Sequence, residues 1–285
     1  MVYKQVRLNG DSLRLREFKL DWFAPSPSIA MIAKRRSGKS WVCREILKHF
    51  SDIPGGLIIA PTDKMSCFYG KFFPDLYIHY KFDPEILKKM LKRQDIMIEK
   101  MKIKEKQGKR VDPRAYLIMD DCLSSKGSWM KDEMIMEMFF NGRHYHVMYI
   151  LTMQFPLGIS PELRGNFDYV FLLAEDVVSN QKRLYDHYAG IFPNFNAFKS
   201  VFAEVTRDHG SMVLVNQGAA ANFLDKVFWF KAHDTRINKM GCKQFRKFHD
   251  VNYNPNWKKQ KKPKDIDELF DKKNLDKVYI DKVKS

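Results

Sequence analysis

Between Ser28 and Ser40 the chain reads Ser-Ile-Ala-Met-Ile-Ala-Lys-Arg-Arg-Ser-Gly-Lys-Ser. Ile29 to Ala33 is an apolar run of strand length, and Trp41 to Phe50 has helical spacing, with Val42, Ile46, Leu47 and Phe50 on one side. A strand that breaks into a Gly-Lys-Ser loop and resumes as a helix limits the choice of fold sharply. In that layout the backbone N–H groups of the loop and of the helix N-terminus converge on one concavity, where the helix dipole favours an anion. The arrangement is that of a nucleotide phosphate-binding loop, the Walker A element. It assigns Ala33, Lys34, Arg35, Arg36, Ser37, Gly38, Lys39 and Ser40 to the nucleotide. Gly38 lets the backbone pass close to phosphate oxygens. Lys39 is placed to reach the β- and γ-phosphates, and Ser40 to offer its hydroxyl to Mg²⁺. Ala33 stands where the pattern more often has Gly.

Downstream, Ala115-Tyr116-Leu117-Ile118-Met119-Asp120-Asp121-Cys122 is an apolar strand pattern that ends in two acids. A strand ending in Asp brings carboxylate to the carboxyl edge of an open sheet, beside the phosphate loop. This is a Walker B reading: Asp120 for Mg²⁺, and Asp121 to polarise the attacking water as general base or orienter. A further strand, Val147 to Thr152, runs into Met153-Gln154, so Gln154 is expected near the γ-phosphate. Arg143 precedes that strand, and Arg164 lies on the turn entering the strand Tyr169–Ala174.

The other apolar runs, Leu57–Ala60, Leu76–Tyr80, Met212–Val215 and Val227–Phe230, alternate with helical spacing at 84–106, 130–140 and 178–204. Short fully apolar strands suit a parallel sheet covered on both faces. The expected fold is therefore α/β, with a mainly parallel central sheet flanked by helices. Residues 1–27 read as an N-terminal strand and loop segment, 28–232 as the ATPase domain, and 233–285 as a basic C-terminal extension. In that extension Arg246, Lys247, Lys258, Lys259, Lys261 and Lys262 interleave with Phe245, Phe248, Tyr253 and Trp257, which suits phosphate-backbone contact or a solvated tail.

A formal charge of +16 over 285 residues predicts attraction to nucleic acid or another polyanion. The four cysteines show no C-x-x-C pair, which argues for free thiols and against a zinc site. No run reaches the length of a membrane span and the N-terminus lacks a signal-peptide core, so a soluble protein, in the cell or in a particle assembled there, is expected.

Taken together, Ile32–Ser40, Leu117–Leu123, Asn141-Gly142-Arg143-His144-Tyr145, Leu151–Gln154 and Leu163–Val170 give the chain a family resemblance. It resembles the genome-packaging ATPases of large DNA viruses, the vaccinia-type group within the FtsK/HerA class of P-loop NTPases. The match covers roughly residues 18–215. The resemblance implies a homo-oligomeric ring that binds ATP and Mg²⁺, hydrolyses the ATP and moves double-stranded DNA into a capsid, at a viral assembly site in the host cytoplasm or in the virion. It also implies capsid or portal-like partners, and an arginine, Arg164 or Arg143, reaching a neighbour's γ-phosphate. Two alternatives use the same loop: a P-loop small-molecule kinase, and a non-catalytic nucleotide-binding virion protein.

Overall fold

The apolar runs assemble side by side. The structure is a computed structural model and describes residues 3–8, 11–122, 132–220 and 222–256. Its strands are β1 (Tyr3–Leu8), β2 (Asp11–Arg16), β3 (Ser28–Ile32), β4 (Gly56–Ile59), β5 (Ile78–His79), β6 (Ala115–Asp120), β7 (Val147–Met153), β8 (Tyr169–Leu173), β9 (Gly210–Val215) and β10 (Val227–Lys231). Its α-helices are α1 (Lys39–His49), α2 (Asp63–Ser66), α3 (Pro84–Glu105), α4 (Glu133–Asn141), α5 (Pro161–Arg164), α6 (Val178–Tyr188), α7 (Phe195–Val205) and α8 (Lys243–Asn252).

Eight strands form one sheet in the order β10-β9-β8-β3-β7-β6-β4-β5. The pairs from β8 through β3, β7, β6 and β4 to β5 are all parallel, whereas β9 and β10 run antiparallel at one edge. β3, β7 and β8 are buried along their whole length, which explains why their sequences are apolar without alternation. Successive side chains nevertheless go to opposite faces. Ile29 and Met31 pack with Val42, Cys43, Ile46 and Leu47 of α1 on one face. Ala30 and Ile32 lie in the core on the other face, with Leu87 of α3, Ile135 of α4, Leu184 of α6 and Phe198 of α7.

Helix starts follow local chemistry. Asp83, Asp132 and Asn194 cap α3, α4 and α7 by accepting from backbone N–H groups one turn in. Two expectations need adjustment. The run 76–80 contributes only the two-residue β5, because Asp75–Tyr77 winds into a 3₁₀ turn. The N-terminal segment is an antiparallel hairpin, β1 with β2, rather than one strand, and it buries Val6 and Leu15 in the main core.

Residues beyond β10 continue onto the body. Met240 is fully buried and its N–H bonds to the Phe72 carbonyl at 2.9 Å. α8 stacks Phe245 on Tyr77 with ring centres 3.9 Å apart. The rest of the basic extension, residues 257–285 with Trp257, Lys258, Lys259, Lys261 and Lys262, lies outside the described residues.

Candidate active site

The phosphate loop leaves the carboxyl end of β3 at Ala33, whose N–H bonds to the Met153 carbonyl at 2.9 Å and whose methyl is buried in the core. Ala33 has no left-handed backbone, so its side chain sits there without strain and glycine is not required. Gly38, by contrast, has φ +102°, a conformation that L side chains rarely adopt. Between them Ser37 folds its hydroxyl back onto the Lys34 carbonyl at 2.7 Å. Arg35 and Arg36 are exposed, and Lys34 is paired with Asp176 just after β8. That hydrogen bond holds the Lys34 ammonium above its ordinary pKa, and the Asp176 carboxyl below its own.

β3 is flanked by β7, and β6 lies next to β7, so the ends of all three strands meet at one edge. There Lys39 Nζ donates to Asp120 Oδ1 at 2.8 Å and to Thr152 Oγ1 at 3.2 Å. The Thr152 hydroxyl donates in turn to Asp120. It also accepts from the Asp121 N–H at 3.2 Å, where Asp121 turns into left-handed backbone at φ 53°. Gln154 Nε2 then donates to Asp121 Oδ2 at 2.6 Å. The result is one connected series, from Lys39 through Asp120 and Thr152 to Asp121 and Gln154. The side chains of Lys39 and Asp120 are only 21% and 14% exposed, so solvent screens their attraction weakly. A hydrogen bond to a charged group in such a setting is worth about 1.5–3 kcal/mol.

Behind Asp120 lies Tyr69, fully buried, with its hydroxyl 3.6 Å from Cys43 Sγ. Burial, and after it the negative charge of Asp120, pushes the Tyr69 phenol well above its ordinary pKa, so it stays neutral. Burial likewise pushes the Cys43 thiol up to about 12. Neither group is an acid–base catalyst at neutral pH; they form a neutral, apolar backing to the site. Asp63, itself buried, fixes this backing by accepting from the Phe68 and Tyr69 N–H groups.

The loop and the strand ends open into one cavity of about 860 Å³. It is lined by Ala33 to Arg36, Gly38 to Trp41, Thr62, Asp121 and Gln154, and by Asp208, His209, Lys231 and Ala232. The last four were not anticipated from sequence, and nor was Thr152. Asp208 and His209 come from the turn before β9, and Lys231 ends β10; the antiparallel return of these strands carries both to the edge where the loop lies. Two anticipated residues are not brought together with the rest. Arg143 lines a separate hollow with Ala24, Pro25, Asp168 and Gln217, at the amino-terminal edge of the sheet. Arg164 lies over the Tyr188 ring at 5.7 Å, and its Nη1 is buried without a hydrogen-bond partner among the described residues.

The donor set suits Mg²⁺. Ser40 and Asp120 carry hard oxygen atoms that would hold it, and the described residues contain no cluster of three or more His, Cys, Asp or Glu side chains that would suggest an all-protein metal cage. Mg²⁺ takes few protein ligands and completes its shell with water and phosphate oxygens.

Comparison with known proteins bears on the fold and the family. No protein-family model matches the chain. Uncharacterized protein L437 of Acanthamoeba polyphaga mimivirus is 50% identical over 250 residues, which span 88% of each chain. Uncharacterized protein 075L of Invertebrate iridescent virus 6 is 34% identical over 239 residues, 81% of this chain and 88% of the relative. Among solved structures, the genome packaging NTPase B204 from Sulfolobus turreted icosahedral virus 2, in complex with AMPPCP, superposes with a TM-score of 0.52 at 14% identity. That superposition covers 74% of this chain and 100% of the other. The fold is thus the one found in this viral genome packaging NTPase. The chain belongs to the family of large-DNA-virus proteins that includes the mimivirus and iridescent virus relatives.

Proposed function

We propose that this protein is an ATP-hydrolysing DNA translocase that packages a double-stranded viral genome into its capsid. The observation that carries the reading is the connected series Lys39–Asp120–Thr152–Asp121–Gln154 at the mouth of a phosphate loop. In this reading Lys39 exchanges the Asp120 carboxylate for the β- and γ-phosphates of ATP when the nucleotide enters. Ser40 and Asp120 would hold Mg²⁺, which would neutralise phosphate charge when bound. Asp121 accepts the proton of the attacking water. Gln154 uses its amide N–H groups to hold the Asp121 carboxylate, which leaves its amide oxygen to accept from the same water.

The DNA and ring components rest on other supports. The excess of positive charge supplies the sequence-independent phosphate attraction that a translocase needs. The packaging NTPase with the same fold comes from a virus, and the chain's relatives are viral proteins. In a ring, Arg164 or Arg143 of a neighbouring copy would complete the charge around the γ-phosphate, a contribution worth several orders of magnitude in rate. Capsid or portal-like proteins are the partners this reading requires, in the virion or at the assembly site. No helix among the described residues is long and apolar enough to cross a membrane.

The test is turnover of ATP with and without duplex DNA. The wild type is expected to hydrolyse ATP faster when DNA is present. Lys39→Ala and Asp121→Asn are each expected to lose at least about 100-fold. Robust turnover in both variants would remove the assignment, and turnover indifferent to DNA would remove the translocase component alone.

A further inference from the structure

The cavity has two walls, and the proposed chemistry uses one. Asp120, Asp121 and Gln154 stand at the ends of β6 and β7, on one side of β3. On the other side of β3 lie β8, β9 and β10, and the turn Arg207-Asp208-His209 enters β9 at the same edge. Given the nucleotide-binding reading, on which this inference rests, the γ-phosphate end of a triphosphate faces the first wall. The nucleoside end then extends towards the second, where Asp208, His209, Lys231 and Ala232 line the cavity.

Three features of this turn set it apart. Asp208 and His209 both adopt left-handed backbone, with φ 55° and 63°, although neither is glycine. Strain of this kind persists only where the surroundings enforce it. Here they do: Thr206 Oγ1 donates to the Phe202 carbonyl at 2.7 Å, and Gly210 is packed so tightly that an added Cβ would lie 2.1 Å from the Val205 carbonyl. Second, the turn rests on the phosphate loop itself, since a Cβ on Gly38 would sit 3.5 Å from His209 Cβ. Third, both side chains are exposed, and neither hydrogen-bonds to another described residue. Lys4 lies within the electrostatic reach of Asp208, and Lys231 shares the wall, so the wall carries both signs of charge; the Asp208 oxygens suit a part of the ligand that is rich in donors. A ribose has such donors, and a purine ring offers a π-face to an imidazole.

We propose that the Asp208–His209 turn is the nucleoside end of the site, with the His209 imidazole packed on the base and the Asp208 carboxylate accepting from ribose hydroxyls. The competing surface is Trp41, which also lines the cavity and is 47% exposed, with the Arg44 guanidinium over its ring at 5.9 Å.

Calorimetric titration of the full chain with Mg-ATP and with Mg-bound inorganic triphosphate tests this. His209→Asn removes the ring and tolerates φ 63°. It is expected to weaken ATP binding about ten- to a hundredfold, the span that stacking on one base supplies, and to leave triphosphate binding within about twofold. His209→Phe, which keeps a ring, is expected to recover most of the loss. A loss equal for both ligands, or no loss for either, overturns the proposal, as does a base-dependent loss in Trp41→Ala instead. If the wild type binds neither ligand, the phosphate-loop reading fails first and takes this one with it. If it binds triphosphate and ATP equally, only the nucleoside proposal falls.

Discussion

The two walls of the cavity are built on opposite physical terms. On the β6–β7 wall the polar groups named above satisfy one another: an ammonium, two carboxylates, a hydroxyl and an amide are joined at 2.6–3.2 Å by the bonds from Lys39 to Asp120 and Thr152, from Asp121 N–H to Thr152, and from Gln154 to Asp121. On the β9 wall, Asp208 and His209 adopt left-handed backbone between the Thr206–Phe202 hydrogen bond and the tightly packed Gly210, and their side chains make no hydrogen bond to described residues. In the proposed reading Lys39 changes partners when the nucleotide enters, while the bonds from Asp121 to Thr152 and from Gln154 to Asp121 are already fixed when the substrate arrives, which suits charge that appears during reaction. The second is preorganised in backbone only, and keeps its side chains available. Satisfied polar groups suit chemistry that must not vary between turnovers; unsatisfied ones suit a contact made and broken in each cycle.

The comparison breaks most visibly at Thr152, which is fully buried and holds three other members of the series together. Thr152→Val keeps the shape and removes the hydroxyl. Positioning groups one layer behind a reacting centre are typically worth 10–100-fold, so ATP turnover is expected to fall by about that factor, with KM for ATP little changed. Thr152→Ser should restore most of the rate. A Thr152→Val enzyme with wild-type turnover would mean that Lys39, Asp120 and Asp121 are positioned independently, and the contrast between the walls would lose its basis.

The second wall is tested by its packing. In Gly210→Ala the new methyl meets the Val205 carbonyl at 2.1 Å and the Arg207 carbonyl at 3.2 Å. Overpacking of this sort costs about 1–3 kcal/mol, or roughly 2–10 °C in melting temperature for a chain of this size. Thermal unfolding without ligand measures it directly. ATP affinity should fall more than triphosphate affinity, because the displaced turn carries the nucleoside contact; an unchanged melting temperature would mean that the turn is not held by this packing.

The same contrast explains what the sequence made legible. Lys39, Asp120, Asp121 and Gln154 each stand at or just beyond a strand or helix end, and a single parallel sheet guarantees that such ends share an edge. Local pattern therefore sufficed to group them. Thr152 escaped because, inside Val-Met-Tyr-Ile-Leu-Thr-Met, a threonine is an ordinary β-branched strand residue; its role arises only when β6 pairs with β7 in the register that sets Asp120 opposite it. Asp208 and His209 escaped because they reach the loop through the antiparallel return of β9, a non-local event without a motif. The N-terminal hairpin had a signal that went unused, Asn9-Gly10 between two polar–apolar alternations. α8 was hidden by its own charge: Lys243, Arg246 and Lys247 mask the single aromatic, Phe245, that stacks on the core. Arg143 and Arg164 were named from the family resemblance, as residues reaching a neighbour's γ-phosphate, and within one chain they lie away from the cavity.

The smallest expected effect marks where the first wall ends. The Tyr69 hydroxyl lies behind Asp120, neutral at any working pH because burial and the Asp120 charge both oppose its ionisation. Its contact at 3.6 Å with Cys43 Sγ is weak, since sulfur is a poor hydrogen-bonding partner, and Asp120 is its second, lesser hydrogen-bonding neighbour. Tyr69→Phe keeps the ring that fills the space under α1 and deletes only the oxygen. The net cost of losing one such hydrogen bond is about 0.5–1.5 kcal/mol in stability, and turnover is expected to stay within about fivefold of wild type. Measured beside Thr152→Val, this variant locates the boundary of the connected series. If Tyr69→Phe slows hydrolysis as much as Thr152→Val does, the series runs one layer deeper, and Tyr69 positions Asp120 from behind as Thr152 does from the side.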